Sequence, residues 1–242
     1  GSWDARMRII NRLKHSVRFR LSKYERPVFI IASAASSALF VIILVPFICL
    51  AVVLRMSGIF LLVRKVRTAR DPKSVLIFSW LTMKNASSRL RAYKVAGFLR
   101  EKGWKADVSP PFSESVYERY FSGGPHYFYK LLVMHAKVFM RRLKEILLKA
   151  TRYRCVVVQR ELLPVHPFAL PVLEILLKQL NPNLVLDIDD FIFSWPPHTA
   201  FGQSKVVNRF ARFRVVTVLK LCRHVIVGNV YLKEEARKYN PN

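Results

Sequence analysis

The 242-residue chain is 52% apolar and carries 41 Lys and Arg against 15 Asp and Glu, a formal charge of +26. Its apolar content excludes a disordered chain, and its length allows a sizeable core plus an additional segment. Three cysteines (Cys49, Cys155, Cys222) without a C-x-x-C pair or a Cys/His ligand spacing argue against a disulfide framework and a structural zinc site.

Residues 1–27 form a basic flank containing Arg6, Arg8, Arg12, Lys14, Arg18, Arg20, Lys23 and Arg26. Opening on Gly-Ser, the chain reads as a fragment whose expected natural start is Met7. From Val28 to Leu54 no charged residue occurs. At 1.5 Å per residue such a run is about 40 Å of helix, enough to cross a hydrocarbon layer with tilt, so 28–54 is the expected membrane segment. The run is too long, and its N-terminal flank too extended, for a cleaved signal peptide. A second basic stretch, 55–72, follows as a juxtamembrane linker. With positive charge on both sides the positive-inside rule leaves two topologies open, a single span or a re-entrant hairpin broken at Pro46.

Beyond it, 73–242 alternates short apolar runs with helical patterns. Strands are expected at 75–79, 105–109, 155–159, 183–187 and 224–228, with helices over 88–102, 127–150 and 168–180. Continuously apolar strands separated by helices predict a Rossmann-like, doubly wound parallel sheet of the α/β class. Such a sheet binds its ligand at the carboxyl ends of its strands, in the loops 80–88, 160–167, 187–197 and 228–231.

Those loops hold the candidate residues. Ser87 or Ser88 can cap the first helix, whose free N–H groups suit an anion, with Arg89 and Arg91 adding positive charge. Neither G-x-G-x-x-G nor a P-loop motif is present. Asp187-Ile-Asp189-Asp190 ends an apolar strand, and three carboxylates so close repel unless a cation, arginines or hydrogen bonds stabilise them. The readings are a D-x-D metal site, the nucleophile loop of a haloacid-dehalogenase-type phosphatase (with Phe191 where Thr or Val is expected), an acceptor site, or a structural cap. Arg160 is the expected partner of the aspartates, beside Glu161; His166 is either a general base or a loop residue between prolines. Helix 127–150 carries Lys130, Lys137, Arg141, Arg142, Lys144 and Lys149 among apolar residues. It reads either as a surface for anionic lipid or as a core helix with a solvated basic face. No nucleic-acid recognition motif occurs, so nucleic acid is not the expected partner.

Ser87-Ser88-Arg89-Leu90-Arg91-Ala92-Tyr93 with Leu99 and Gly103, then Val156–Glu161 and its Pro-rich loop, then Leu186–Asp190, then Val225–Leu232 with Glu235-Ala236 are ordered segments. Together they resemble the N-terminal domain of family-four-like glycosyltransferases. The resemblance implies the N-terminal half of a GT-B fold, with acceptor binding on this half. Donor binding and a Glu-x7-Glu motif would lie on a C-terminal domain that this sequence lacks. It implies retention of configuration, a nucleotide-diphosphate sugar as donor and no bound metal. The resulting expectation is a membrane-associated enzyme, incomplete for catalysis as it stands. It would act at the cytoplasmic face on a lipid-linked or envelope polysaccharide acceptor, touching membrane lipid through its anchor. Asp189 and Asp190 would contact acceptor hydroxyls, with Asn229 and Tyr231 lining the cleft. The competing readings are a phosphatase built on Asp187 and Asp189, and a non-catalytic membrane scaffold with a degenerate Rossmann domain.

Overall fold

The computed structural model describes residues 71–121, 127–164, 166, 168–195 and 204–242, together with 31–36, 38, 39, 42, 46 and 49. Much of the run 28–54 and all of the linker through residue 70 lie outside the described residues; those of the run that are described are helical. Among the described residues no helix is long and apolar enough to cross a membrane.

Five strands, β1 (Asp71–Phe78), β2 (Lys105–Ser109), β3 (Tyr153–Gln159), β4 (Leu184–Ile188) and β5 (His224–Val227), form one sheet in the order β2-β1-β3-β4-β5. Every pairing is parallel. The protein is therefore α/β with a Rossmann-like, all-parallel sheet, as its apolar runs predict. β1 starts at Asp71, two residues before the expected domain boundary.

Helix α1 begins at Ala86–Ser88, passes through a π-helical stretch at Arg89–Tyr93 and resumes as Lys94–Glu101. It ends where Gly103 takes a φ of 75°, a left-handed turn open to glycine at little cost. α3 (Tyr127–Lys149) and α4 (Val172–Leu180) follow the expected pattern, and α6 (Val230–Arg237) falls in the last of the segments that carry the resemblance. The structure adds α2 (Glu114–Phe121) and α5 (Lys205–Leu221), which the sequence reading leaves unassigned.

Strand alternation sorts the sheet's side chains onto two faces. Leu76, Phe78, Val156, Val158, Leu184, Leu186 and Ile188 meet the main core against α3, α4 and α5. Val75, Ile77 and Ala106 meet Ala92 and Ala96 of α1 in a smaller cluster on the opposite face. Asp187 alternates with Leu186 and Ile188, so it falls on the α1 face, opposite Gln159 in the register.

Beneath the carboxyl ends of β1 and β2 lies Arg142 of α3, fully buried. Its Nη1 donates to Ser109 O (2.9 Å) and Oγ (3.0 Å), and its Nη2 to Ser79 O (2.8 Å). The guanidinium lies 4.9 Å from the Phe78 ring centroid, with Glu145 Oε2 at 3.5 Å supplying countercharge. The basic face expected for lipid therefore loses this member. Lys137, Arg141, Lys144 and Lys149 are exposed, but Arg142 points into the core, where its guanidinium serves the Ser79 and Ser109 carbonyls and the Ser109 hydroxyl.

Candidate functional site

Parallel strands of order 2-1-3-4-5 carry their connections to opposite faces on either side of the β1/β3 boundary, opening a crevice outside the carboxyl edge. Residues from all four expected loops meet there. Arg160, the residue after β3, adopts a left-handed φ of 60°, an uncommon and mildly costly conformation for a non-glycine. The turn is fixed by two backbone bonds, Arg160 N to Asp187 O (2.9 Å) and Glu161 N to Gln159 O (2.8 Å). It lays the guanidinium 4.2 Å from the centroid of Trp80, at the end of β1. From there Arg160 Nε donates to Asp189 Oδ1 at 2.6 Å, and Nη2 stands 3.5 Å from Asp190 Oδ2.

Ser87 ties α1 to the same cluster: its hydroxyl donates to Asp189 and accepts from Gln159 Nε2 at 2.8 Å. Gln159 Oε1 in turn accepts from Trp80 N at 3.1 Å. Arg91, at the centre of the π-helical stretch, donates from Nε to both oxygens of Asp187 (3.0 and 2.9 Å) and adds a second contact through Nη2. A π turn inside an α-helix commonly marks a functional or strained position. Here it coincides with the residue that reaches across to β4.

Each carboxylate of the Asp-x-Asp-Asp stretch thus has its own environment. Burial pushes the Asp187 carboxyl above the usual carboxylate range, with Arg91 pulling the other way. At Asp189 burial also acts upward, but hydrogen bonds from Arg160 and Ser87 outweigh it and hold the group below that range. Asp190 faces solvent, with its side chain 69% exposed, and caps the amide of Phe191 at 2.9 Å. A nucleophile attacking phosphorus needs a free carboxylate oxygen, whereas both oxygens of Asp187 are taken by Arg91. Among the described residues no three His, Cys, Asp or Glu side chains come together in a group able to hold a metal ion.

The other expected residues are placed as follows. Asn85, rather than Ser87 or Ser88, caps α1, its Oδ1 accepting from Ser88 N at 3.1 Å. Buried Ser88 Oγ instead accepts from Leu81 N at 3.0 Å. Arg89 is exposed on the first turn. Glu161 bridges Trp80 Nε1 (3.2 Å) and Arg214 Nη2 (2.6 Å) rather than the aspartates. Asn229 caps α6 through Leu232 N at 2.8 Å. Tyr231 is exposed, its ring 6.0 Å from that of Phe191. Gly228 carries the β5 loop so close to β4 that a Cβ there would stand 3.1 Å from Asp189 Cα.

His166 is fully buried, with its ring 4.5 Å from that of His135. His135 Nε2 donates to Pro164 O (3.1 Å), and its Nδ1 has no hydrogen-bond partner. Burial pulls the His135 ring down to about 4 and His166 well below the ordinary histidine range, so both are neutral near pH 7. A ring without solvent access cannot relay a proton to a bound ligand, which removes His166 from the role of general base.

Three contributors escaped sequence reasoning: Trp80, Phe191 and Arg214. Trp80 and Phe191 carried a legible signal, an aromatic residue directly after a strand and directly after the acidic stretch. Arg214 sits mid-helix among other basic residues and carried none. Fold and site together define an α/β protein with a Rossmann-like parallel sheet and a cluster of paired polar side chains at its carboxyl edge. Comparison with protein-family models, with curated proteins and with solved structures finds no match to this chain.

Proposed function

We propose that this chain is the acceptor-binding, N-terminal half of a membrane-associated glycosyltransferase of GT-B type. It would serve transfer from a nucleotide-diphosphate sugar to a lipid-linked or envelope polysaccharide acceptor at the cytoplasmic face of a membrane. The observation that carries the reading is the pairing of an exposed carboxylate, Asp190, with the exposed Phe191 and Tyr231 rings at the carboxyl edge of the sheet. A saccharide offers hydroxyls that donate to a carboxylate and a C–H face that lies on an aromatic ring, so this combination fits a sugar.

Behind that surface Asp189, Arg160, Ser87 and Trp80 form a preorganised support, each side chain held by at least one of the others. In the reaction the acceptor oxygen bonds to the anomeric carbon while the bond from that carbon to the diphosphate breaks, and the nucleoside diphosphate leaves with the electron pair and takes up the acceptor hydroxyl's proton. Asp190 orients the attacking hydroxyl. Arg89, exposed on the first turn of α1, suits the acceptor's phosphate. The donor and the remaining catalytic groups belong to a partner domain.

A polyprenyl-diphosphate disaccharide held in nanodiscs tests this directly. Titrated against the full chain, it is expected to bind and to protect the 187–195 backbone from hydrogen exchange. Asp190→Asn and Tyr231→Ala should each weaken binding about tenfold, the loss of one charged hydrogen bond or one ring contact. Binding that is equal in both variants and wild type overturns the assignment.

A further inference from the structure

The apolar N-terminal run meets the α/β domain at a specific point. Ser36 Oγ lies 3.1 Å from His166 Nε2, a contact spanning 130 residues of chain, and donates onward to Ser33 O at 2.9 Å. His166 Nδ1 accepts from the Phe168 amide at 3.3 Å, so the neutral ring carries its proton on Nε2 and donates it to Ser36. The seat is braced from below by Arg214, whose Nη1 donates to His166 O at 3.2 Å while its Nη2 pairs with Glu161. Ser33, one turn earlier on the same side, is 0% exposed.

The opposite side of this helix points outward and is apolar. Ile31 is 68% exposed, Leu39 54% and Ile42 69%; residues 34, 35, 38 and 49 are exposed as well. With 3.6 residues per turn, positions 31, 35, 38, 42 and 49 fall within a sector of about 60°, whereas 33 and 36 lie across the axis from it. Over its described residues this helix turns Ser33 and Ser36 to the protein and Ile31, Leu39 and Ile42 outward, and that outer face needs an apolar medium. The flanks identify that medium. Residues 1–70 hold thirteen Lys and Arg against Asp4 and Glu25, so the strip is bracketed by positive charge on both sides, the complement of anionic headgroups.

We propose that these helical residues lie along the domain, latched by Ser36 onto the His166 seat with Ser33 buried one turn before it, and that the Ile31, Leu39 and Ile42 face enters the acyl-chain boundary of an anionic bilayer. Protein on one side of residues 31–36 keeps that turn from being surrounded by hydrocarbon, so it rests in the plane of the membrane surface. The α/β domain is then held directly on the bilayer, with a crevice that draws on the same His166–Arg214–Glu161–Trp80 chain of contacts kept near headgroup level. A lipid-linked acceptor would reach it without leaving the membrane. The latch and its lipid face are independent of any sugar chemistry, so failure of the transferase reading leaves this proposal intact.

Vesicles of phosphatidylcholine with a minor share of phosphatidylglycerol, doped with a diazirine-bearing phospholipid, test it on the native full chain. After photolysis, peptide mapping should place about tenfold more label on Ile31, Leu39 and Ile42 than on Ser33 and Ser36. His166→Leu, which keeps the bulk but removes the donor, should even out label between the two sides. Equal labelling of both sides in the native chain overturns the latch, since the helix then stands free in lipid. Label on neither side overturns the lipid face, since protein then covers it.

Discussion

Two arginine clusters occupy the carboxyl edge of the same sheet and do opposite things. Around β1 and β2, Arg142 is sealed from water and spends its donors on the main-chain carbonyls of Ser79 and Ser109. Around β3 and β4, Arg160 and Arg91 stand at the crevice and spend theirs on side-chain carboxylates. Burial makes the first charge architectural, because moving it takes the guanidinium donors away from the Ser79 carbonyl and from Ser109 in a low dielectric. The second set is partly exposed, Arg91 at 26% and Arg160 at 12%, and its charges are balanced by carboxylates instead of main-chain oxygens. The left-handed turn at Arg160 belongs to this second half, as backbone strain commonly does at ligand sites.

The contrast breaks most visibly at Arg142. Arg142→Met should cost about 3–5 kcal/mol, since it removes the buried donors of Ser79 O and Ser109 and the fully buried member of the Glu145 ion pairs; the urea midpoint of the chain reads this loss. Arg142→Lys should recover little of it, because an ammonium lacks the fork that serves two strand ends at once. A cost below about 1 kcal/mol for Arg142→Met would mean that the clamp does not hold the edge together.

Acid should reveal the buried histidines next. In the unfolded chain a histidine takes its proton near pH 6.5, whereas His135 in the fold does so only near 4. Between those values the unfolded state binds more protons, so stability falls as the pH drops, by about 2 kcal/mol at pH 5 for His135 alone. His166 acts in the same direction, while Asp187 and Glu174, raised by burial, act in the other. Comparing wild type with His135→Leu isolates the effect: their stability difference should shift by about 2 kcal/mol between pH 7 and pH 5. A constant difference would show that His135 takes up its proton in the fold at the same pH as in the unfolded chain.

Two smaller effects sharpen the crevice side. Gly228→Ala forces its new Cβ against the Asp189 backbone and should cost about 1–2 kcal/mol, measured as a lowered thermal midpoint. Asp190→Asn should stay within about 0.5 kcal/mol of wild type in stability, since the group is solvated, while weakening acceptor binding. A large stability loss there would assign Asp190 to the structural cluster.

Much of this molecule is legible in its sequence. Strands of Val, Leu and Ile with no polar alternation can only be buried on both faces, which is why the parallel sheet and its carboxyl-edge loops follow from the text alone. The pairing of Arg160 with the Asp189–Asp190 acids follows as well, because like charges at such spacing demand a nearby cation. His166 was ambiguous for a definite reason: a histidine between prolines has no periodicity to reveal whether it faces water.

What tertiary structure alone decided is the fate of individual charges. Arg141 and Arg142 are adjacent on α3, identical in chemistry, and one is exposed while the other is sealed in the core. Local sequence sets the helix, but a rotation of about 100° between neighbours places one side chain in water and the other beneath two strands contributed by distant parts of the chain. The long charge-free run divides the same way: its hydrophobicity is written in its residues, whereas the meeting of Ser36 with His166 exists only because folding brings together positions 130 residues apart.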